Sequence, residues 1–362
     1  MKIVIFGGGR QGWVIAKNLV ERSEQPLVTI VDVHTSNLPP LKNVETTTGD
    51  VLNAEQVASL VKGADAAVLA VPSSIAHEAL TNLLKTGIPI ADVCFTPDPP
   101  LDLDALAKQS GSTCVVDCGV APGLSHMLIG AAYEKFGGLD YARIYVGGVP
   151  QEPIDAFRHA VYFNPHDLLS EYVRPARSRQ DGTDVQPHPL DAVVEEFKDN
   201  ELGSMEAFLS DGLRSLLTSY KNIASMEERT LRWPGHIDAM KVLRDLGLLD
   251  DTNTFDSVAR TLGRKYPADK FKDLLLMFVE GRKGSQSISW RLLDRATDGL
   301  SAMSRTTGYT TAATAMVLAR KQFVEPGVHA PERLGHDARL TQIILDDLRE
   351  RGVVVQELVA AK

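Results

Sequence analysis

Gly7, Gly9 and Gly12 stand at the spacing Gly-x-Gly-x-x-Gly directly after the apolar run KIVIF, and Asp32 closes a second apolar run, LVTIVD, twenty residues beyond the last glycine. Residues of these types at this spacing suit a dinucleotide. Gly7 permits a tight turn off a strand, and Gly9 lets a pyrophosphate approach the backbone. Gly12 lets the following helix, beginning near Arg10 and Gln11, lie close on a sheet. The pyrophosphate then rests on the positive end of that helix. Asp32 would accept hydrogen bonds from the adenosine ribose hydroxyls and repel a 2′-phosphate. The following Val33-His34-Thr35-Ser36 offers no Arg or Lys to hold one, so the expected cofactor is NAD rather than NADP.

Other candidate groups fall at the ends of apolar runs, where open α/β sheets bind ligands. Val71 and Pro72 follow AAVLA at the usual level of a nicotinamide ring, Asp92 closes IPIAD, Asp117 closes TCVVD, and Asp50 ends the third run, near the adenine. Each aspartate could equally be a cap or turn residue. Further on, TLRWPGH ends an apolar strand in Arg232, turns through Trp-Pro-Gly and starts a helix at His236. A guanidinium suits a substrate carboxylate, and an imidazole suits proton transfer near neutrality. A surface ion pair and a helix-start residue explain the same two positions. Arg174 in EYVRPAR, and Glu206 and Asp211 in SMEAFLSDGLRS, are weaker candidates of the same kind. Tyr266-x-x-x-Lys270 copies a Tyr/Lys acid pair, but Pro267 lies between them and rules out one uninterrupted helix.

These groups need a frame. The runs KIVIF, LVTIVD, VETTT, AAVLAVP, IPIADV and TCVVDCG alternate with helical spacing over 53–61, 74–85 and 101–109, which predicts a doubly wound parallel sheet, a Rossmann fold, over residues 1–122. After the Gly119–Gly123 turn, a helix over 124–136 leads to ARIYVGGVP and a region without βαβ alternation. Residues 123–301 therefore read as an inserted α+β domain on a mostly antiparallel sheet, for substrate binding and oligomerisation. RQDGTDVQPHP has no apolar face and reads as a flexible loop, while DLLLMFVE and SISWRLLD flank GRKGSQ as a hairpin apolar on more than one face. That hairpin suggests a surface covered by another subunit or by the helix after TLRWPGH. The small-residue helix TTGYTTAATAMVLARK is expected to return to the first domain, completing it with 302–362. The chain has 362 residues, a formal charge of −9 and no basic arm, so nucleic acid and anionic membrane are unsuited partners and a small metabolite is expected. Cys94, Cys114 and Cys118 form no paired framework and no metal cluster; they read as buried thiols. No leader and no apolar run of membrane-spanning length is evident, so the cytoplasm is the expected compartment.

Taken together, GGGRQG, Gly49-Asp50, DCGVAPG, IYVGGVP, EAFLSDGLRS, TLRWPGH and SRTTGYTTAATA resemble the saccharopine dehydrogenase-like superfamily over nearly the whole chain, most closely its lysine 6-dehydrogenase branch. Saccharopine reductases and carboxynorspermidine synthases are similar but typically carry Asp-Pro-Gly where this chain has Ala121-Pro122-Gly123. The resemblance implies NAD-dependent oxidation of the ε-carbon of L-lysine, release of ammonia, and a semialdehyde that cyclises to a piperideine carboxylate. It also implies a homodimer or larger assembly. The chemistry needs a proton acceptor at the amine, Asp92 or His236, and a guanidinium at the carboxylate, Arg232 with Arg174. An imine-condensing reductase and a non-catalytic NAD-binding protein stay open as alternatives.

Overall fold

The computed structural model describes residues 1–96 and 98–358, and within them the chain divides into two compact units. The first comprises Met1–Ala131 and Ser304–Gly352; the second comprises Ala132–Met303 and the chain from Val353 onward. The expected closing segment 302–362 is thus divided between the two, and residues 359–362 lie outside the described residues.

The first unit is built on β1 (Lys2–Phe6), β2 (Leu27–Asp32), β3 (Val44–Thr48), β4 (Ala66–Leu69), β5 (Ile90–Asp92) and β6 (Thr113–Val115). Near-continuous apolar runs such as KIVIF and AAVL are buried on both faces, as parallel strands covered by helices must be. A seventh strand from late in the chain, Gly327–His329, joins parallel to β6, giving the order Gly327–His329, β6, β5, β4, β1, β2, β3. The helix Ala302–Ala319 explains its small residues here: a Cβ on Gly308 would come within 2.8 Å of Val14. Gly130 approaches the Glu332 carbonyl in the same way, with 2.2 Å left for a Cβ.

The second unit contains β7 (Tyr141–Pro150), β8 (Ser178–Gln180), β9 (Thr183–Val185), β10 (Glu195–Asp199), β11 (Gly203–Ser210), β12 (Ser225–Arg232), β13 (Asp273–Lys283) and β14 (Gln286–Arg295). With β15 assigned to Gly327–His329, the last strand is β16 (Val355–Leu358), which pairs with β14. The sheet runs β10-β11-β12-β7-β13-β14-β16, and every pairing is antiparallel except β7 with β12. The α/β class with a second, mostly antiparallel sheet is therefore as the sequence implies.

Three local expectations are corrected. RQDGTDVQPHP is not a featureless loop: β8 and β9 form a hairpin around Asp181 (φ 46°) and Gly182 (φ 83°), the left-handed pair that an Asp-Gly turn supplies. Arg179 locks it, donating to Asp184 at 2.6 Å and to the Tyr220 carbonyl at 2.7 Å. The GRKGSQ connection shrinks to Gly284-Ser285, because Gly281 to Lys283 continue the ladder to Gln286. Leu274, Leu276, Met277 and Leu292 are fully enclosed by their own chain, so this hairpin calls for no second subunit to cover it.

Candidate functional site

The loop after β1 shows why each glycine stands where it does. Gly7 has φ 104°, and a Cβ there would lie 2.2 Å from the Ala70 carbonyl; at Gly12 a Cβ would lie 1.8 Å from the Gly7 carbonyl. Gly9 differs, for it caps the helix Arg10–Val20 and a Cβ there would meet no atom of the described residues within 4 Å. An uncrowded backbone at a helix N-terminus is the approach an anionic diphosphate needs. Beside it, Gln11 Oε1 is buried without a hydrogen-bond partner among the described residues. Asp32 ends β2 with its carboxylate fixed by two backbone donors, Gly8 N–H at 2.7 Å and His34 N–H at 2.9 Å. Asp50 follows β3, where it accepts from Leu52 N–H at 2.9 Å. These residues fit a dinucleotide.

The other strand ends are arranged around Asp92. It is enclosed, accepts from Cys94 N–H at 2.8 Å, and takes Cys118 N–H on its main-chain oxygen at 2.8 Å. Val71 N–H points at Cys94 Sγ at 3.3 Å, and Pro72 caps the helix Ser73–Leu84. Asp117 is buried with φ 53°, at the bend that leads into the Gly119–Gly123 turn. Burial, reinforced by Asp92, pushes the thiols of Cys94, Cys114 and Cys118 well above the ordinary range, so all three stay protonated and none is a nucleophile.

Arg232 and His236 come together in the second unit through a residue that the sequence does not flag, Tyr172. Arg232 Nε donates to the Tyr172 hydroxyl at 2.9 Å, and that hydroxyl lies 2.8 Å from His236 Nε2. His236 Nδ1 is 2.6 Å from the Phe157 carbonyl, which can only accept. Nδ1 therefore carries the proton, and Nε2 accepts from tyrosine. Burial, with Arg232 nearby, pulls His236 down to about 3. The imidazole is neutral at ordinary pH with its lone pair engaged by the Tyr172 hydroxyl. Arg232 also donates to Glu171 at 2.6 Å and to the Leu231 carbonyl at 3.0 Å, so each of its nitrogens is occupied.

Arg174 is the more accessible guanidinium, with its side chain 39 % exposed, 3.1 Å from Asp211. Asp211 is gripped twice by Arg177, at 2.7 and 3.0 Å. Glu206 turns out to be a cap: it accepts from Gly235 N–H at 2.9 Å and Ile237 N–H at 3.3 Å at the start of the helix His236–Asp245. Replacing Glu206 with alanine is expected to cost about 1–2 kcal/mol of stability, as lost caps do, and urea unfolding of the variant checks it. Tyr266 and Lys270 do not share a helix, since the segment Thr252–Lys265 ends before them.

Glu228 is the group that sequence reasoning missed. It shares the buried face of β12 with Arg232, is 5 % exposed, and is pushed up to about 8 by burial and by the carboxylates of Glu171 and Asp211. Its run, SMEERTLR, offers no signal, because two adjacent glutamates look like surface charge. Among the described residues no cluster of His, Cys, Asp and Glu is arranged to hold a metal ion, and no helix is long and apolar enough to cross a membrane.

The fold has close counterparts. The structure of apo histidine-tagged saccharopine dehydrogenase (L-Glu forming) from Saccharomyces cerevisiae matches with a TM-score of 0.82 at 14% identity, covering 99% of this chain and 100% of that one. The C. glutamicum DAP dehydrogenase in complex with DAP matches more loosely, with a TM-score of 0.50 at 14% identity over 98% and 99% of the two chains. Identities this low show the fold alone. Sequence profiles go further: the one described as the saccharopine dehydrogenase NADP binding domain matches residues 3–115, and the one described as the saccharopine dehydrogenase C-terminal domain matches residues 119–353. With the second profile alone spanning well over half of its length, the chain belongs to the saccharopine dehydrogenase family.

Proposed function

We propose that this chain is an NAD-dependent dehydrogenase that oxidises the ε-amine carbon of L-lysine to 2-aminoadipate 6-semialdehyde, with release of ammonia. In balance, the ammonium form of lysine, NAD and water give the aldehyde, ammonium, NADH and one proton; the aldehyde then closes on the α-amine as a cyclic imine. The observation that carries this reading is Ala121 in the Ala121-Pro122-Gly123 turn. The imine-condensing members that the sequence resembles typically have an aspartate there, and a methyl group cannot replace its charge.

The nicotinamide, when bound, supplies the hydride acceptor. The chain's own groups do the rest. Gly9 and the start of the helix Arg10–Val20 receive the diphosphate, and Asp32 the ribose. Asp92 is the proposed proton acceptor, since His236 is neutral and engaged. Arg174 receives the substrate carboxylate, because Arg232 is occupied by Glu171, Tyr172 and a carbonyl. A homodimer is part of the proposal, and sedimentation of the purified protein tests it.

A second reading, condensation of an amine with a keto acid and reduction of the imine, draws on the likeness to saccharopine dehydrogenase itself. One assay separates them. With NAD and L-lysine alone at alkaline pH, the dehydrogenase makes NADH and ammonia; activity only with NADH, an amine and a keto acid together would move the chain to the second reading. In that assay Arg174→Ala is expected to raise KM for lysine about tenfold to a hundredfold, the ~1.5–3 kcal/mol of a charge-assisted hydrogen bond, with kcat little changed. Asp211 keeps its bidentate partner Arg177 in this variant, so the fold is spared. An unchanged KM removes Arg174 from the site.

A further inference from the structure

Three carboxyl groups meet beside β12, and among the described residues two of them are paired with a cation. Glu171 is paired with Arg232 at 2.6 Å, and Asp211 with Arg177 at 2.7 Å and Arg174 at 3.1 Å. Among the described residues Glu228 has neither an ion pair nor, at Oε2, any hydrogen bond, although it is 5 % exposed. Its carboxyl lies against the backbone of Gly212, where a Cβ would fall 1.6 Å from Oε1, so a side chain at position 212 would push the Glu228 carboxyl out of its place. A buried carboxyl left without a donor is costly and calls for an occupant. The charged groups acting on it are Glu171 and Asp211, which disfavour its ionised form, and Arg174, which favours it.

We propose that Glu228 is the seat of the cationic α-amino group of the substrate, next to the Arg174 guanidinium that takes its carboxylate. An α-amino acid carries an ammonium and a carboxylate one carbon apart, and the two side chains offer the opposite signs. A primary ammonium also brings N–H donors that satisfy Oε2. The inference rests on the amino-acid reading above and adds the residue that reads the amine.

A proton must move. Burial and the neighbouring carboxylates hold Glu228 protonated at neutral pH; an ammonium docking on it stabilises the ionised form, and the displaced proton leaves to solvent. Calorimetric titration of the full chain with L-lysine at pH 7, where the ligand's own amines stay protonated, in two buffers of different ionisation enthalpy, should show about 0.9 proton released per ligand, as expected for a group near 8. In Glu228→Gln, which keeps the shape and neutrality of the protonated acid, the release should vanish and affinity should fall tenfold or more. 6-Aminohexanoate, which is lysine without its α-amine, should release none. Equal release in Glu228→Gln, or binding of L-lysine with no release, overturns the assignment. L-Ornithine, L-glutamate and saccharopine complete the panel. If one of these drives the release while lysine yields no NADH, the seat stands and the lysine reading falls. If no α-amino acid of the panel releases a proton, the seat falls whatever the enzyme turns over.

Discussion

Arg232→Ala is expected to lower stability by about 3–5 kcal/mol, the penalty for leaving one member of a buried ion pair alone, rather than simply to weaken substrate binding. The guanidinium is 2 % exposed and makes three separate hydrogen bonds, to Tyr172, Glu171 and the Leu231 carbonyl. Its loss strands Glu171, whose carboxyl burial already pushes upward and which Arg232 holds down. It also removes the N–H donor to the Tyr172 hydroxyl, which itself donates to His236. A thermal melt should fall by roughly 10 °C, at ~2–4 °C per kcal/mol for a unit of this size. The paired change Arg232→Met with Glu171→Met should recover much of it, because two well-packed apolar side chains can replace a buried pair at little cost. If Arg232→Ala instead melts like the native chain and shows only a raised KM, the guanidinium is a substrate ligand after all.

This contrast shows where the sequence is informative. The boundaries of TLRWPGH are legible from the residues alone: β12 ends at Arg232, Gly235 turns with φ 92°, and the helix starts at His236. What the two polar side chains do is not legible, because it depends on Tyr172 and Phe157, some sixty and eighty residues away in the chain. The nucleotide half behaves differently. Its chemistry is local, since glycines, a strand end and a helix start lie within one βαβ unit, so Gly7, Gly9, Gly12 and Asp32 fall where the spacing places them. Glu228 could not have been found by alternation, for Glu227 on the opposite face of the same strand is nearly as enclosed, paired with Arg143 and Arg229. In a sheet buried on both faces, period two no longer separates core from surface. The β8–β9 hairpin had a readable signal, Asp181-Gly182, outweighed by the lack of any apolar face around it. β16 had none, for a short edge strand is recruited by the ladder of β14 rather than by its own composition.

Cofactor choice is equally local, and it sets the last expected result. The matching profile is described as NADP-binding, whereas the end of β2 presents a carboxylate. Asp32 is held in place by Gly8 and His34 N–H groups, so it cannot swing away from an incoming 2′-phosphate without giving up two hydrogen bonds. Two like charges ~4 Å apart near a protein surface repel by roughly 4 kcal/mol, and solvent screening reduces this, so we expect the native chain to prefer NAD by about a hundredfold. Asp32→Ser removes the charge while leaving a hydroxyl that can still accept from Gly8 N–H. Val33, 53 % exposed at the next position, can carry an arginine into solvent without disturbing the core. Asp32→Ser with Val33→Arg should therefore reverse the preference, since a guanidinium binds a phosphate through two parallel hydrogen bonds. Calorimetric titration of both chains with NAD and NADP reads the ratio directly. Equal affinity of the native chain for the two would remove Asp32 as the selector and return the choice to groups elsewhere around the ribose.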